Sequence, residues 1–193
     1  MPMEQIFALV GFVAVMTGTP GPNNLMLVSS GANAGFIRSL PHILGIVIGC
    51  QIMLLCIALG LGQLLSHSPS LINGLRITGA LYLLWLAWQL VRNRSLQDHP
   101  QQQQPLTFIQ AALFQWVNPK AWTMALGAIT LYAASRDLAS LLWVVGTYVA
   151  AGVLSTTVWT TLGRQLRRLL RAPGQLRLFN RVMAVLLLAS LVP

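Results

Sequence analysis

From Gln5 to Ala34 the chain runs without a single charged side chain, yet the run is interrupted near its middle by Thr17-Gly18-Thr19-Pro20-Gly21-Pro22-Asn23-Asn24. A bilayer core about 30 Å thick takes roughly 20 helical residues, so the run is long enough to cross one. It cannot cross as one regular helix. Pro20 and Pro22 lack an N–H, and each ring clashes with the carbonyl four residues back, at roughly 3 kcal/mol per proline in a helix interior. The carbonyls of Met16 and Gly18 therefore lose their helical partners. In lipid an unpaired backbone group is costly, so such a break survives only where it is buried in protein or lines a wet cavity. A fresh half-helix can start at Pro22, since proline suits a first helical position.

Only 8% of the 193 residues are charged, against about 25% in a soluble domain, and 55% are hydrophobic. The class is a polytopic membrane protein. The net charge of +9 does not point to nucleic acid, because the arginines cluster between apolar spans rather than on one soluble face. Residues 1–5 contain Glu4 and no basic residue, so the first span is expected to be retained rather than removed as a secretory signal. Cys50 and Cys56 are six residues apart in one apolar run, on different faces of a helix, and read as small buried hydrophobes.

Six windows approach a bilayer crossing: Gln5–Ala34 (broken), Leu40–Leu65, Leu71–Val91, Leu106–Ala134 (broken), Leu138–Leu162 and the short Arg177–Val192. Arg38, Arg92, Arg94, Arg164, Arg167, Arg168, Arg171 and Arg177 lie in the odd loops, with Arg181 at the edge of the last window. Arg76 and Arg136 lie in the even ones. Nine against two predicts that the odd loops are cytoplasmic and both termini periplasmic. Arg164, Arg167, Arg168 and Arg171 share one helical face, expected to lie on anionic lipid headgroups. Residues 92–105, with four glutamines, read as a cytoplasmic linker between a first repeat, 1–91, and a second, 106–193.

The fourth window has its own break, Gln115-Trp116-Val117-Asn118-Pro119-Lys120-Ala121-Trp122. Asn before Pro is an N-cap followed by a first-turn proline, so a second half-helix starts here. Pro20 and Pro119 are 99 residues apart, and the same shift overlays the second window on the fifth and the third on the sixth. With three helices per half, the second half enters the membrane inverted. The expected fold is all-α, six transmembrane helices as two inverted three-helix repeats, with the first and fourth helices broken at mid-membrane. Paired broken helices in inverted halves are the architecture of many secondary transporters, whose sites lie at the membrane midplane.

Candidate binding residues are therefore Thr19, Pro20, Gly21, Pro22, Asn23, Asn24, Gln115, Asn118, Pro119 and Lys120. Lys120 is the only lysine and sits well inside its window. A charged lysine at mid-bilayer costs roughly 2.5–3.5 kcal/mol on insertion scales, so it must face a cavity, pair with carbonyls or deprotonate. It is the candidate for proton coupling. Asn23 and Asn24 could cap or ligate, and Asn118 could do both. The two half-helix N-termini offer partial positive charge to a carboxylate, and the freed carbonyls of Met16, Gly18 and Gln115 could accept from an ammonium. Glu4, Asp98 and Asp137 fall at termini or loops, and His42 and His67 near span ends, where histidines carry no special role. No metal, cofactor or catalytic constellation is visible, so an enzyme is not expected.

Thr19-Pro-Gly-Pro-Asn-Asn, the Ala34-Gly35-Phe36 turn, Gly45 with Gly49, Gly79-Ala80-Leu81-Tyr82-Leu83 and Asn118-Pro119-Lys120-Ala121-Trp122 together resemble the lysine-exporter (LysE/RhtB) family of amino-acid efflux transporters. The likeness extends over nearly the whole chain and is nearest the homoserine/threonine and cysteine/O-acetylserine exporter branch. It implies export of a small amino acid across the bacterial inner membrane, driven by proton antiport, with a homo-oligomer possible. Two other classes remain open to the residues alone. A non-coupled pore would not need two matched breaks. A thiol–disulfide carrier would need one cysteine in each half, whereas both lie in the second window.

Overall fold

The computed structural model describes residues 1–63, 67–92, 104–135, 137–170 and 173–190, which form eight α-helices and no strand. The first window folds as α1 (Met3–Gly18) and α2 (Pro22–Ala34), bent by 55° where Thr19–Gly21 runs extended. Gly35, at φ 83°, ends α2 and turns the chain through a 3-10 segment, Ile37–Ser39, into α3 (Leu40–Cys56). The second window is not uninterrupted. A π-type turn, Ile57–Leu61, follows α3 and is kinked at Gly60, whose φ of 112° a side chain would strain.

The chain continues as α4 (Pro69–Arg92), α5 (Phe108–Val117), α6 (Pro119–Tyr132), α7 (Leu138–Leu169) and α8 (Pro173–Ala189). A reciprocal capping box starts α5: Gln110 N–H donates to Thr107 Oγ1 and Thr107 N–H to Gln110 Oε1. Asp137 caps α7 by accepting from Ser140 N–H at 2.9 Å. Hydrogen bonds from the Ser135 hydroxyl and from Ser140 hold its carboxyl well below the usual carboxylate range.

Among the described residues three segments are long and apolar enough to cross a membrane, Ile37–Leu61, Pro69–Arg92 and Leu138–Leu169, and the bent α1–α2 pair makes a fourth if it is one span. Helix α5 is apolar but has only ten residues, about 15 Å. Most of the linker, 93–103, lies outside the described residues, as do Arg136 and Arg171.

The helices pack in pairs, α2 on α7, α3 on α5 and α4 on α8. One core joins α1, α3, α6 and α7 through Leu9, Met53, Ala125 and Val144, and another joins α2, α4, α5 and α8 through Leu25, Leu83, Phe114 and Leu187. Helices α2 and α7 approach backbone to backbone. A Cβ added to Gly163 would lie 2.1 Å from the Val28 carbonyl oxygen, and one on Gly31 would lie 2.1 Å from that of Thr160. Large apolar side chains cover the outside, among them Phe7, Leu59, Leu81, Leu113 and Leu154. Such a coat belongs against lipid.

Candidate functional site

Both breaks fall where the prolines demand. Helix α2 begins at Pro22 and α6 at Pro119. The second break is a single residue. Asn118 N–H donates to the Gln115 carbonyl at 3.3 Å, and Asn118 Oδ1 accepts from Lys120 N–H at 3.1 Å, so this break is closed by its own neighbours. Trp122 Nε1–H donates across it to the Trp116 carbonyl at 2.8 Å.

The first break is closed from a distance. Gly21 caps α2 with no side chain of its own. The Met16 carbonyl accepts from Thr19 Oγ1 at 3.3 Å. Of the freed carbonyls expected from sequence, Met16 accepts from Thr19 Oγ1 and Gln115 from Asn118 N–H, whereas the carbonyls that gather side chains from α2, α6 and α7 are those of Thr17 and Thr19. The physical reason is that Thr17 lies in the last turn of α1 and Thr19 in the extended segment beyond it, so neither carbonyl has a helical partner. Asn24 Nδ2 donates to both, at 2.8 and 2.9 Å, and Ser155 Oγ of α7 donates to Thr17 at 2.7 Å.

Lys120 joins the two breaks. Its Nζ donates to the Thr19 carbonyl at 2.7 Å and to Thr19 Oγ1 at 2.8 Å, with the Pro20 carbonyl at 3.4 Å. The side chain crosses directly over Gly21, where a Cβ would stand 2.8 Å from Lys120 Cδ. A second bridge is an amide pair: Asn23 Nδ2 donates to Gln115 Oε1 at 2.8 Å, and Gln115 Nε2 donates back to Asn23 Oδ1 at 3.2 Å. Cys50 Sγ–H also points at Gln115 Oε1, at 3.4 Å, and both cysteines are free thiols.

Between the breaks lies a cavity of about 60 Å³ whose walls include Thr17, Gly21, Asn23, Asn118 and Lys120. Of the residues expected from sequence, Gly21, Asn23, Asn24, Asn118 and Lys120 line it. Thr19 and Pro20 take part through their oxygens, Gln115 stands behind Asn23, and Pro22 and Pro119 open their helices. Among the described residues, Lys120 is the one charged side chain on its wall. Gln51, Tyr148, Ser155 and Thr156 also line it and were not expected from sequence. Gln51 had a signal, as a lone amide in the apolar run from Ile43 to Leu61. The others lie in a long helix whose rotational setting the sequence does not reveal.

His42 departs from expectation. It is fully buried, because the tight turn after α2 folds the start of α3 back onto that helix. Its Nδ1 lies 3.0 Å from Ser30 Oγ, its Nε2 has no partner, and it lines a second cavity of about 60 Å³ with Ser29, Asn33, Gln89 and Gln104. Arg167 on α7 donates to the Asn33 carbonyl at 3.0 Å, so this arginine is held by the C-terminal end of α2. Among the described residues no three His, Cys, Asp or Glu side chains gather as a metal site.

This geometry of paired breaks coincides with a family match. Residues 14–190 match the family model described as LysE type translocator. The chain belongs to the LysE family. A protein of Escherichia coli O139:H28 (strain E24377A / ETEC) named cysteine/O-acetylserine efflux protein is 32% identical over 181 residues, covering 92% of this chain and 90% of its own. Proteins with the same name from Escherichia coli strain K12 and Shigella flexneri serotype 5b are each 32% identical over 180 residues, covering 91% of this chain and 90% of their own. No solved structure matches this LysE family chain.

Proposed function

We propose that this protein is a secondary transporter that exports a small amino acid or derivative, of the threonine/homoserine or cysteine/O-acetylserine kind, from the bacterial cytoplasm by proton antiport. The observation that carries the reading is the Lys120 ammonium on the oxygens of Thr19 and Pro20, which makes one site of two breaks far apart in sequence. Those oxygens form a cation site, and the uncapped start of α2 beside them suits a carboxylate. The site thus offers both halves of a zwitterion a partner.

Antiport requires substrate and proton to exclude each other. At this site they do so if the substrate ammonium takes the oxygens that the Lys120 ammonium holds. Protonated Lys120 then expels the substrate, and neutral Lys120 admits it. The site residues of this reading are Thr19, Pro20, Gly21, Pro22, Asn23, Asn24, Gln115, Asn118, Pro119 and Lys120.

The wider frame belongs to the same reading: six crossings in two inverted repeats, residues 1–91 and 106–193, in the inner membrane. Helices α5 and α6 would make the fourth crossing together, and α8 the sixth. Both termini would face the periplasm, with residues 92–105 cytoplasmic and Arg164, Arg168 and Arg171 near anionic headgroups. An impermeant thiol reagent should fail to modify Gln102→Cys in intact cells, and modification from outside would reverse the orientation. The function itself is tested by counterflow in proteoliposomes against a panel of amino acids. Saturable exchange of a small amino acid is expected, and flux that neither saturates nor responds to a proton gradient would make the protein a pore.

A further inference from the structure

Among the described residues, the polar side chains around the substrate cavity are, with one exception, already committed. Asn23 is paired with Gln115 and Asn24 holds the carbonyls of Thr17 and Thr19. Ser155 and Thr156 donate to the carbonyls of Thr17 and Gly152, and Tyr148 donates to that of Met124. The exception is Gln51 on α3. Its Oε1 is buried and has no hydrogen-bond partner, although the side chain lines the cavity. A buried acceptor left unpaired costs the full desolvation of that group. Such groups persist in native proteins for a reason, of which an absent ligand is one.

We propose that the Gln51 amide reads the substrate's side chain, selecting small amino acids whose β-carbon bears a hydrogen-bonding heteroatom. This rests on the exporter reading. The backbone ends of the zwitterion have other partners, the Thr19 and Pro20 oxygens for the ammonium and the start of α2 for the carboxylate. What remains unmatched on the protein is an amide, and what remains unmatched on the substrate is its side chain. An amide is two-faced. Its oxygen accepts from a hydroxyl or thiol, and its NH2 donates to an ester carbonyl, so one residue serves a β-hydroxyl, a β-thiol and a β-ester alike. A carboxylate or a purely hydrocarbon wall would not serve all three. The cavity's small volume limits the size of the group that the β-carbon can carry. Sites built to hydrogen-bond a substrate group discriminate strongly against the analogue that lacks it, because their own polar group is left bare.

The test is counterflow with purified protein in proteoliposomes, comparing serine, cysteine and O-acetylserine with alanine and 2-aminobutyrate. Wild type should favour the three polar substrates by at least about tenfold. Gln51→Leu should remove that preference by slowing the polar three far more than the apolar two, whose continued saturable exchange reports that the variant is folded. Gln51→Glu should keep serine and cysteine and lose O-acetylserine, since a carboxylate accepts but does not donate. Equal loss across all five substrates in both variants, or an unchanged preference in Gln51→Leu, would overturn the assignment. Wild-type protein that exchanges none of the five, and neither threonine nor homoserine, would instead sink the exporter reading, an outcome distinct from either.

Discussion

The two breaks start alike, with a proline opening a helix after an extended residue, and are stabilised in opposite ways. The Asn118 break is one residue long and satisfied by Gln115, Asn118 and Lys120, all within five residues of one another. The Thr19–Gly21 break is three residues long, bends the chain by 55° and borrows donors from α2, α6 and α7. A locally closed break keeps its shape whatever its neighbours do. A break closed by other helices can change shape when they move, and it couples their positions to whatever occupies its oxygens. In the proposed transport cycle the first break is thus the responsive half of the site and the second the fixed half, from which Lys120 reaches over.

The harshest way to break that comparison is to remove the first break. Pro20→Ala with Pro22→Ala allows one continuous helix, re-pairs Met16 and Gly18, and disperses the Thr17 and Thr19 oxygens. Export should fall to background with the protein still in the membrane. A double variant that exports at the normal rate would make the break a packing kink. Lys120→Gln leaves both breaks but removes the titratable group to which the proposed antiport assigns the proton. Flux through this variant should lose its response to a proton gradient. Flux that still follows the gradient would place the coupling proton elsewhere.

Single caps sharpen the contrast further. Asn24→Leu leaves the Thr19 carbonyl with Lys120 and the Thr17 carbonyl with Ser155, so export should drop more than thermal stability does. Asn118→Ala removes a local cap. It should cost about 1 kcal/mol of stability, read as a lowered melting temperature, with a smaller effect on transport. Reversal of that order would mean that the second break is the responsive one.

The break positions were legible because proline acts through covalent geometry: Pro22 and Pro119 open helices in the structure where the sequence puts them. The bridging role of Lys120 was half legible. A lone lysine in an apolar run must find oxygens, but that they belong to Thr19 and Pro20 depends on how α6 packs beside α1. Gln51, Ser155 and His42 were not assigned. Their roles depend on the rotation of α3 and α7 about their axes, which a run apolar on every side does not encode. Burial of His42 further depends on the Gly35 turn, which returns α3 onto α2.

The claim that both breaks form one amino-acid site, with Lys120 and the substrate ammonium competing for the same oxygens, is tested most directly by equilibrium binding. Radiolabelled serine is titrated onto purified protein in nanodiscs at several pH values. Wild-type affinity should weaken towards low pH, by up to about tenfold per pH unit where one competing proton is bound. Lys120→Gln should bind with an affinity that does not change over the same range. Tighter wild-type binding at low pH, or the same pH dependence in folded Lys120→Gln, would contradict the claim and leave Lys120 as a structural tie between two helices.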